Sequence, residues 1–360
     1  MRLPKPNNII TEKYVVGMSV FKNRLAKIKL SANESALGPS PKAKKEYIKV
    51  SKSFARYPDT NGTFLRETLS KKFKLDKNRI LLGSGSDQIF ELICKAYLKK
   101  GDEVIVPKYS FIIYRIYSKM NGAKVIYSKE NNFTVSVKDI LKKVTTKTKV
   151  VFLANPNNPT GTYVAKKDLL FLRKKLRSNI LLVVDDAYFE YVKQKNYSSA
   201  LKLFCNFKNV VMTRTFSKIY GLAGLRVGWG YGSKEIIDTL NKIKPPFNVN
   251  KAALFAASAA VKDSAWLNKE IKHVNNWNKK MFNEFKKMKI ETNRSYSNFL
   301  LVNFDKVKIN SSRVFKLLAK AGILVRKMDV YGIKNSLRIT IGKSEENRKL
   351  ISKMKRILNV

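Results

Sequence analysis

The sequence predicts an α/β fold, with a large domain on a mostly parallel seven-stranded sheet joined to a smaller α+β domain. Three features carry that expectation. Apolar, β-branched runs alternate with helical patterns from about residue 80 to residue 230, the order that repeated strand–helix units leave in a chain. Two of the runs, Lys149-Val150-Val151-Phe152-Leu153 and Ile180-Leu181-Leu182-Val183-Val184, are apolar almost throughout, as strands buried on both faces must be. After Pro245-Pro246 the character changes, first to a long helical stretch and then to short strands set among helices.

Taken in order, Arg79-Ile80-Leu81-Leu82 is a short strand running into Gly83-Ser84-Gly85-Ser86-Asp87. A helix follows, with Ile89, Phe90, Ile93, Ala96 and Tyr97 at helical spacing. Glu103-Val104-Ile105-Val106-Pro107 is the next strand, followed by a helix over about 111–121 and a strand at Lys124-Val125-Ile126-Tyr127. The two buried runs come next, then Val210-Val211-Met212-Thr213 and Val227-Gly228-Trp229-Gly230. Beyond the prolines, residues 250–288 read as one connecting helical spine. The C-terminal part offers Asn298-Phe299-Leu300-Leu301-Val302-Asn303, a helix over 314–321, Ile323-Leu324-Val325, and Ser336-Leu337-Arg338-Ile339-Thr340-Ile341. An open sheet of this kind binds ligands at the carboxyl ends of its strands.

Composition narrows the chemistry. With 360 residues, 44% of them hydrophobic, the chain supports two packed units. No apolar run approaches the roughly 18 residues of a membrane span, and Met1-Arg2-Leu3-Pro4-Lys5-Pro6-Asn7 lacks the apolar stretch of a secretory leader. Cys94 and Cys205 read as reduced core thiols, so a cytoplasmic protein is expected. His273 is the only histidine, which excludes a His/Cys zinc site and a Ser-His-Asp triad. The formal charge of +47 would attract nucleic acid, anionic membranes or phosphorylated metabolites. Its lysines are spread along the whole chain, however, with no basic arm and no zinc-finger or RNP spacing. The favoured reading is lysine-rich surface drift without a nucleic-acid partner.

Four segments carry chemistry. Val183-Val184-Asp185-Asp186-Ala187-Tyr188 brings a carboxylate to the end of a buried strand, where charge is costly unless paired. It fits either a helix cap or the counter-ion of a buried cation such as a protonated pyridine nitrogen. Thr213-Arg214-Thr215-Phe216-Ser217-Lys218 puts a lysine just past another strand end, with Gly221-Leu222-Ala223-Gly224-Leu225-Arg226 after it. Thr215, Ser217 and Arg226 are donors suited to a phosphate. Gly83-Ser84-Gly85-Ser86-Asp87 is a strand-to-helix turn whose amides can face an anion; the Asp87 carboxylate itself would complement the helix dipole. Ala154-Asn155-Pro156-Asn157-Asn158-Pro159-Thr160-Gly161 is either a rigid turn or a platform from which Asn158 reaches a ligand.

In this order, and together with Leu30-Ser31-Ala32-Asn33-Glu34, Arg56-Tyr57-Pro58-Asp59, Pro107-Lys108-Tyr109-Ser110, Gly322-Ile323-Leu324-Val325-Arg326 and Leu337-Arg338-Ile339-Thr340-Ile341-Gly342, the segments carry a resemblance. The chain resembles the fold-type I pyridoxal-phosphate (PLP) aminotransferases, and within them the histidinol-phosphate aminotransferases, over about residues 28–355. The resemblance implies a PLP-dependent transferase-like fold, with a cofactor domain over residues 48–250 and residues 1–47 and 251–360 forming the arm, connecting helix and small domain. It implies that Lys218 bonds the cofactor and shuttles the substrate's α-proton, and that Asp185 pairs with the pyridinium nitrogen. Tyr188 and Asn158 would bond the phenolic oxygen, and Tyr109 would stack on the ring. Ser86, Asp87, Thr215, Ser217 and Arg226 would hold the phosphate, with Tyr57 reaching it from the other subunit of a homodimer. Arg338, with Asn33 beside it and Arg326 as a second basic contact, would bind the substrate's anionic end.

The reaction so implied passes nitrogen from an amino donor, L-histidinol phosphate, to 2-oxoglutarate. Aromatic amino-acid transamination and a threonine-phosphate decarboxylase-like lyase share the same cofactor frame. Ser35 and Ala36 stand where the family often has a proline, Gln88 replaces the usual acid, and Tyr14-Val15-Val16-Gly17 resembles a lid found in relatives that also take aromatic amino acids. These departures bear on substrate and not on cofactor chemistry.

Overall fold

The computed structural model describes Tyr14, residues 17–21 and residues 23–360. The Met1–Asn7 segment, and Val15 and Val16 of the lid-like sequence, lie outside the described residues.

The seven expected strands form one sheet. They are β1 (Ile80–Gly83), β2 (Glu103–Pro107), β3 (Lys124–Ser128), β4 (Thr148–Ala154), β5 (Leu181–Asp185), β6 (Val210–Thr215) and β7 (Gly228–Tyr231). Their spatial order is β1-β7-β6-β5-β4-β2-β3. Only β7 runs against its neighbours, pairing antiparallel with β6 and β1, while the other pairs are parallel. Side chains on β5 are buried along its whole length, because helices cover both faces of a sheet built from crossovers. The register sets Asp185 opposite Ala154 of β4 and Thr213 of β6. Three strand ends are thereby level at one rim.

Helix α1 (Ser86–Tyr97) starts as soon as β1 ends, and α2 (Ile113–Met120) follows β2. The expected single spine is two helices, α3 (Lys251–Lys262) and α4 (Ser264–Lys287). They part at Asp263, whose Oδ1 accepts from the Trp266 amide at 3.4 Å. Its carboxylate caps the second helix, so an aspartate inside an otherwise helical pattern acts as a boundary.

A second sheet of four strands, β8 (Glu291–Thr292), β9 (Phe299–Asn303), β10 (Arg326–Lys327) and β11 (Ser336–Thr340), is ordered β8-β9-β11-β10 and antiparallel. Helix α5 (Ser344–Leu358) closes the chain. Ile323–Leu324 does not join this sheet; it pairs in parallel with Ile28–Lys29 near the N-terminus. The Leu30 amide then donates to the Leu324 carbonyl at 2.7 Å, and the Thr340 amide to the Leu30 carbonyl at 3.0 Å. These bonds carry residues 31–34 across to the rim of the large sheet. Among the described residues, no helix is long and apolar enough to cross a membrane, and no cluster of His, Cys, Asp and Glu could hold a metal.

Candidate active site

The strand ends, the N-terminal segment and β11 enclose a cleft of about 220 Å³. A larger groove of about 840 Å³ lies between α4 and α5, but it is an open surface trough lined by residues such as Lys280, Arg348 and Arg356, away from the strand ends. Into the smaller cleft converge Asn33, Ser86, Asp87, Asn158, Asp185, Tyr188, Thr215, Ser217, Lys218, Arg226, Arg326 and Arg338. Twelve of the fourteen residues singled out in the sequence therefore share one space.

At the floor, Asp185 is buried, and its hydrogen bonds come from two neutral hydroxyls. Tyr114 donates to Oδ2 at 2.8 Å and Thr213 to Oδ1 at 3.1 Å. Burial pushes the carboxyl up to about 6, against the pull of those bonds. A cation placed against it would reverse that shift. Asp186 turns to the other side, where Oδ2 accepts from the Ala200 amide at 2.8 Å. Asp186 thus serves the start of the helix capped by Ser199, without being its N-cap, while Asp185 faces the cleft. Sequence reasoning missed Tyr114. It sits on α2, fully buried, with its ring stacked on Phe152 at 5.0 Å, and on an amphipathic helix such a residue looks like ordinary core.

An anion cradle forms at one end. Gly85 has φ +78°, and a Cβ there would lie 2.5 Å from Arg226 Nη2; one on Gly228 would lie 2.4 Å from the Ser86 amide nitrogen. Both positions need glycine so that backbone and guanidinium can approach. Arg226 Nη1 donates to Ser217 Oγ at 3.2 Å, and Nη2 pairs with Asp87 Oδ2 at 3.2 Å. The Asp87 carboxylate, expected to face only the helix dipole, therefore also orients the arginine. Burial raises the Asp87 carboxyl while Arg226 opposes the rise.

Lys218 lies half-buried between cradle and floor, its Nζ donating to the Ala32 carbonyl at 3.2 Å. Desolvation, seconded by the positive charge of Arg338, lowers its amine to about 8. Across the cleft Arg338 donates to Asn158 Oδ1 through Nη1 and to the Ser31 carbonyl through Nη2 at 3.1 Å. Its Nε is buried and without a partner among the described residues. Tyr188 accepts from Asn33 Nδ2 at 3.0 Å, so Asn33 attends the tyrosine rather than Arg338. Arg326 lines the same wall, and burial lowers its pKa.

Two expected residues lie elsewhere. Tyr57 is 81% exposed and stacks on Phe247 at 4.5 Å. Tyr109, expected over a ring, is not among the residues that line the cleft. Its amide donates to Glu130 at 2.9 Å, its carbonyl accepts from Asn157 at 2.8 Å, and its ring tilts against Phe133. Phe111 lines the cleft, edge-on to Tyr114 at 5.7 Å. The signal available was spacing: Phe111 stands one turn before Tyr114.

A lysine of lowered pKa, a buried carboxylate seeking a cation, an anion cradle and an arginine-lined wall, all at the carboxyl rim of a parallel sheet, define an enzyme site for amine chemistry on anionic molecules. Residues 26–354 match the model of the family "aminotransferase class I and II", and the chain belongs to that family. It is 53% identical over 360 residues, all of both chains, to histidinol-phosphate aminotransferase of Pelagibacter ubique (strain HTCC1062). With the enzyme of that name from Nitrobacter hamburgensis it shares 39% over 348 residues, covering 96% of this chain and 95% of the relative. Among solved structures, histidinol-phosphate aminotransferase from Sinorhizobium meliloti in complex with pyridoxal-5'-phosphate superposes with a TM-score of 0.87 at 22% identity, over 93% of this chain and 92% of that one. Thermotoga maritima aspartate aminotransferase gives 0.81 at 22%, over 92% of each. At such identities the structures speak to the fold.

Proposed function

We propose that this chain is a PLP-dependent aminotransferase that transfers the amino group of L-histidinol phosphate to 2-oxoglutarate. The observation carrying the reading is the convergence of Lys218, Asp185, the Arg226 cradle and Arg338 in one cleft, supported for the substrate by the full-length likeness to the Pelagibacter enzyme. The donor set fits the cofactor. The buried Asp185 carboxylate has hydroxyl partners and is raised by desolvation, and the close approaches at Gly85 and Gly228 would be filled by any Cβ. When bound, PLP supplies an electron sink that makes the substrate's α-proton labile.

In this reading Lys218 would be the covalent anchor, and its amine, when free, would carry the proton. Asp185 would keep a pyridine nitrogen protonated. Ser86 and Asp87 through their amides, with Thr215, Ser217 and Arg226, would hold the phosphate. Tyr188 and Asn158 would bond the phenolic oxygen, and Phe111, which lines the cleft, would take the ring-face role first assigned to Tyr109. Arg338 and Arg326 receive the phosphate of one substrate and a carboxylate of the other, since both are planar-fork acceptors for guanidinium. Residues 48–250 form the cofactor domain, with residues 1–47 and 251–360 as arm, connecting helices and small domain. The proposed setting is a cytoplasmic homodimer in which Tyr57 reaches the other subunit's phosphate. The neighbouring exposed Tyr47, Ile48, Phe54 and Phe247 supply an apolar face that a second copy would cover.

The test is a half-reaction. L-Histidinol phosphate should bleach the visible band of the PLP-loaded protein far more efficiently than L-phenylalanine does. The reverse preference would move the assignment to aromatic amino acids, and no band with added PLP would end the reading. Tyr114→Phe removes one of the two hydroxyls on Asp185. A hydrogen bond to a charged group contributes about 1.5–3 kcal/mol, so PLP should dissociate about 10- to 100-fold more readily. An unchanged dissociation constant by fluorescence titration would remove Tyr114 from the site.

A further inference from the structure

Asn33 was expected beside the substrate, yet its amide is committed on both ends within the protein. Its backbone is left-handed, at φ +55°, and its amide nitrogen donates to Thr340 Oγ1 at 2.9 Å. The Thr340 hydroxyl, having accepted that bond, donates its one proton to Asn33 Oδ1 at 3.2 Å. The side-chain Nδ2 is thereby turned to Tyr188 Oη, 3.0 Å away. Asn298 Nδ2 grips the same segment from the other side, donating to the Asn33 and Glu34 carbonyls at 3.0 and 3.1 Å. All of Asn33, Asn298 and Thr340 are buried, so water does not compete for these bonds.

The direction of the relay has a chemical consequence. A tyrosine hydroxyl that accepts from Asn33 must place its own proton elsewhere, and Tyr188 lines the cleft with Lys218 and Asp185. Were the Asn33 amide reversed, Oδ1 would face Tyr188 and draw that proton out of the cleft. The amide itself has no preference between the two orientations; Thr340 supplies it, because in the reversed one its buried hydroxyl would lose Oδ1 as the acceptor of its proton. We infer that Thr340 is a positioning residue, whose hydroxyl orients Asn33 so that Tyr188 presents its proton to the cleft. Thr340 also lies two residues from Arg338 on β11, hence on the same face of the strand. One short strand thus aims both the anion-binding arginine and, through Asn33, the tyrosine. The inference rests on the PLP reading, in which the Tyr188 proton is offered to the cofactor's phenolic oxygen.

The test reads the visible absorption of the Lys218-linked cofactor against pH. A proton donated to the phenolic oxygen favours the deprotonated form, so its loss should raise the titration midpoint. Thr340→Val is expected to raise it by about one unit, about tenfold in the equilibrium. Thr340→Ser should restore the wild-type midpoint, and Asn33→Ala, which leaves Tyr188 no competing acceptor, should move it less than Thr340→Val does. Adding Thr340→Val to Asn33→Ala should shift it no further, since the threonine acts through the asparagine. If Thr340→Val does not fold, Thr340→Ala takes its place. A wild-type midpoint in Thr340→Val or Thr340→Ala, a shift in Thr340→Ser as large, or additive shifts would overturn the inference; a merely structural threonine would lower stability and leave the midpoint alone. A wild-type protein with no visible band would instead overturn the cofactor reading.

Discussion

Lys218→Ala is expected to lower kcat by at least about 10⁴-fold, since in the proposed reading one side chain would supply both the covalent anchor and the proton carrier. The lysine is one among 73 basic residues, but its surroundings set it apart. Desolvation and Arg338 bring its amine down to about 8, so about a tenth of it is neutral, and therefore nucleophilic, at pH 7. An ordinary surface lysine would be almost wholly protonated there. The rate at which the cofactor-free protein captures PLP should rise with pH up to about 8 and then level, because above its pKa the amine is already neutral. A rise continuing to pH 10 would mean the cleft does not lower the amine. Borohydride should fix PLP covalently to the wild type and not to Lys218→Ala, and added small amines should restore part of the variant's turnover by replacing the lost base. Turnover within tenfold of wild type in the variant would remove Lys218 from the chemistry.

The residues that the sequence disclosed and those it hid differ in a physical way. Strands β4 and β5 were legible because burial on both faces leaves an almost unbroken apolar run, and Asp185 because a carboxylate ending such a run requires a reason. Lys218 was legible through the hydroxyls and glycines around it. What the sequence could not give was the direction of a side chain. Tyr109 and Phe111 lie two residues apart in the segment before the helix Ile113–Met120; Phe111 lines the cleft, while Glu130 and Asn157 hold the Tyr109 backbone, contacts that have no local signature. The two-residue parallel pairing of Ile28–Lys29 with Ile323–Leu324 is equally silent, although it delivers Asn33 to Tyr188. Asp186 and Asp185 are adjacent and alike in sequence, and the alternation of the extended chain turns one to the Ala200 amide and the other to Tyr114 and Thr213.

Asp185 is where site and stability pull in opposite directions. Asp185→Ala should lower kcat/KM by about 10²–10⁴-fold, from the roughly 3–5 kcal/mol lost when one partner of a buried charge pair is removed. Asp185→Asn, close in shape, should lose nearly as much, which would place the effect in the charge and not in packing. A PLP analogue methylated on the ring nitrogen carries its charge without help and should recover activity in Asp185→Asn. The cofactor-free protein should behave the other way. There the Asp185 carboxyl is raised from 3.8 to about 6, so the folded state holds its proton more tightly than the unfolded chain does. The sign follows: the stability associated with this group is present below about pH 4 and is lost as pH rises through about 6. Cofactor-free Asp185→Asn should therefore be more stable than cofactor-free wild type at pH 7, with the gap closing as pH falls towards 4, while PLP should stabilise the wild type more than the variant. Thermal unfolding with and without PLP at the two pH values measures both differences. Equal gains from PLP in the two proteins would mean that the carboxylate does not meet a cationic ring nitrogen, and that its burial serves the fold alone.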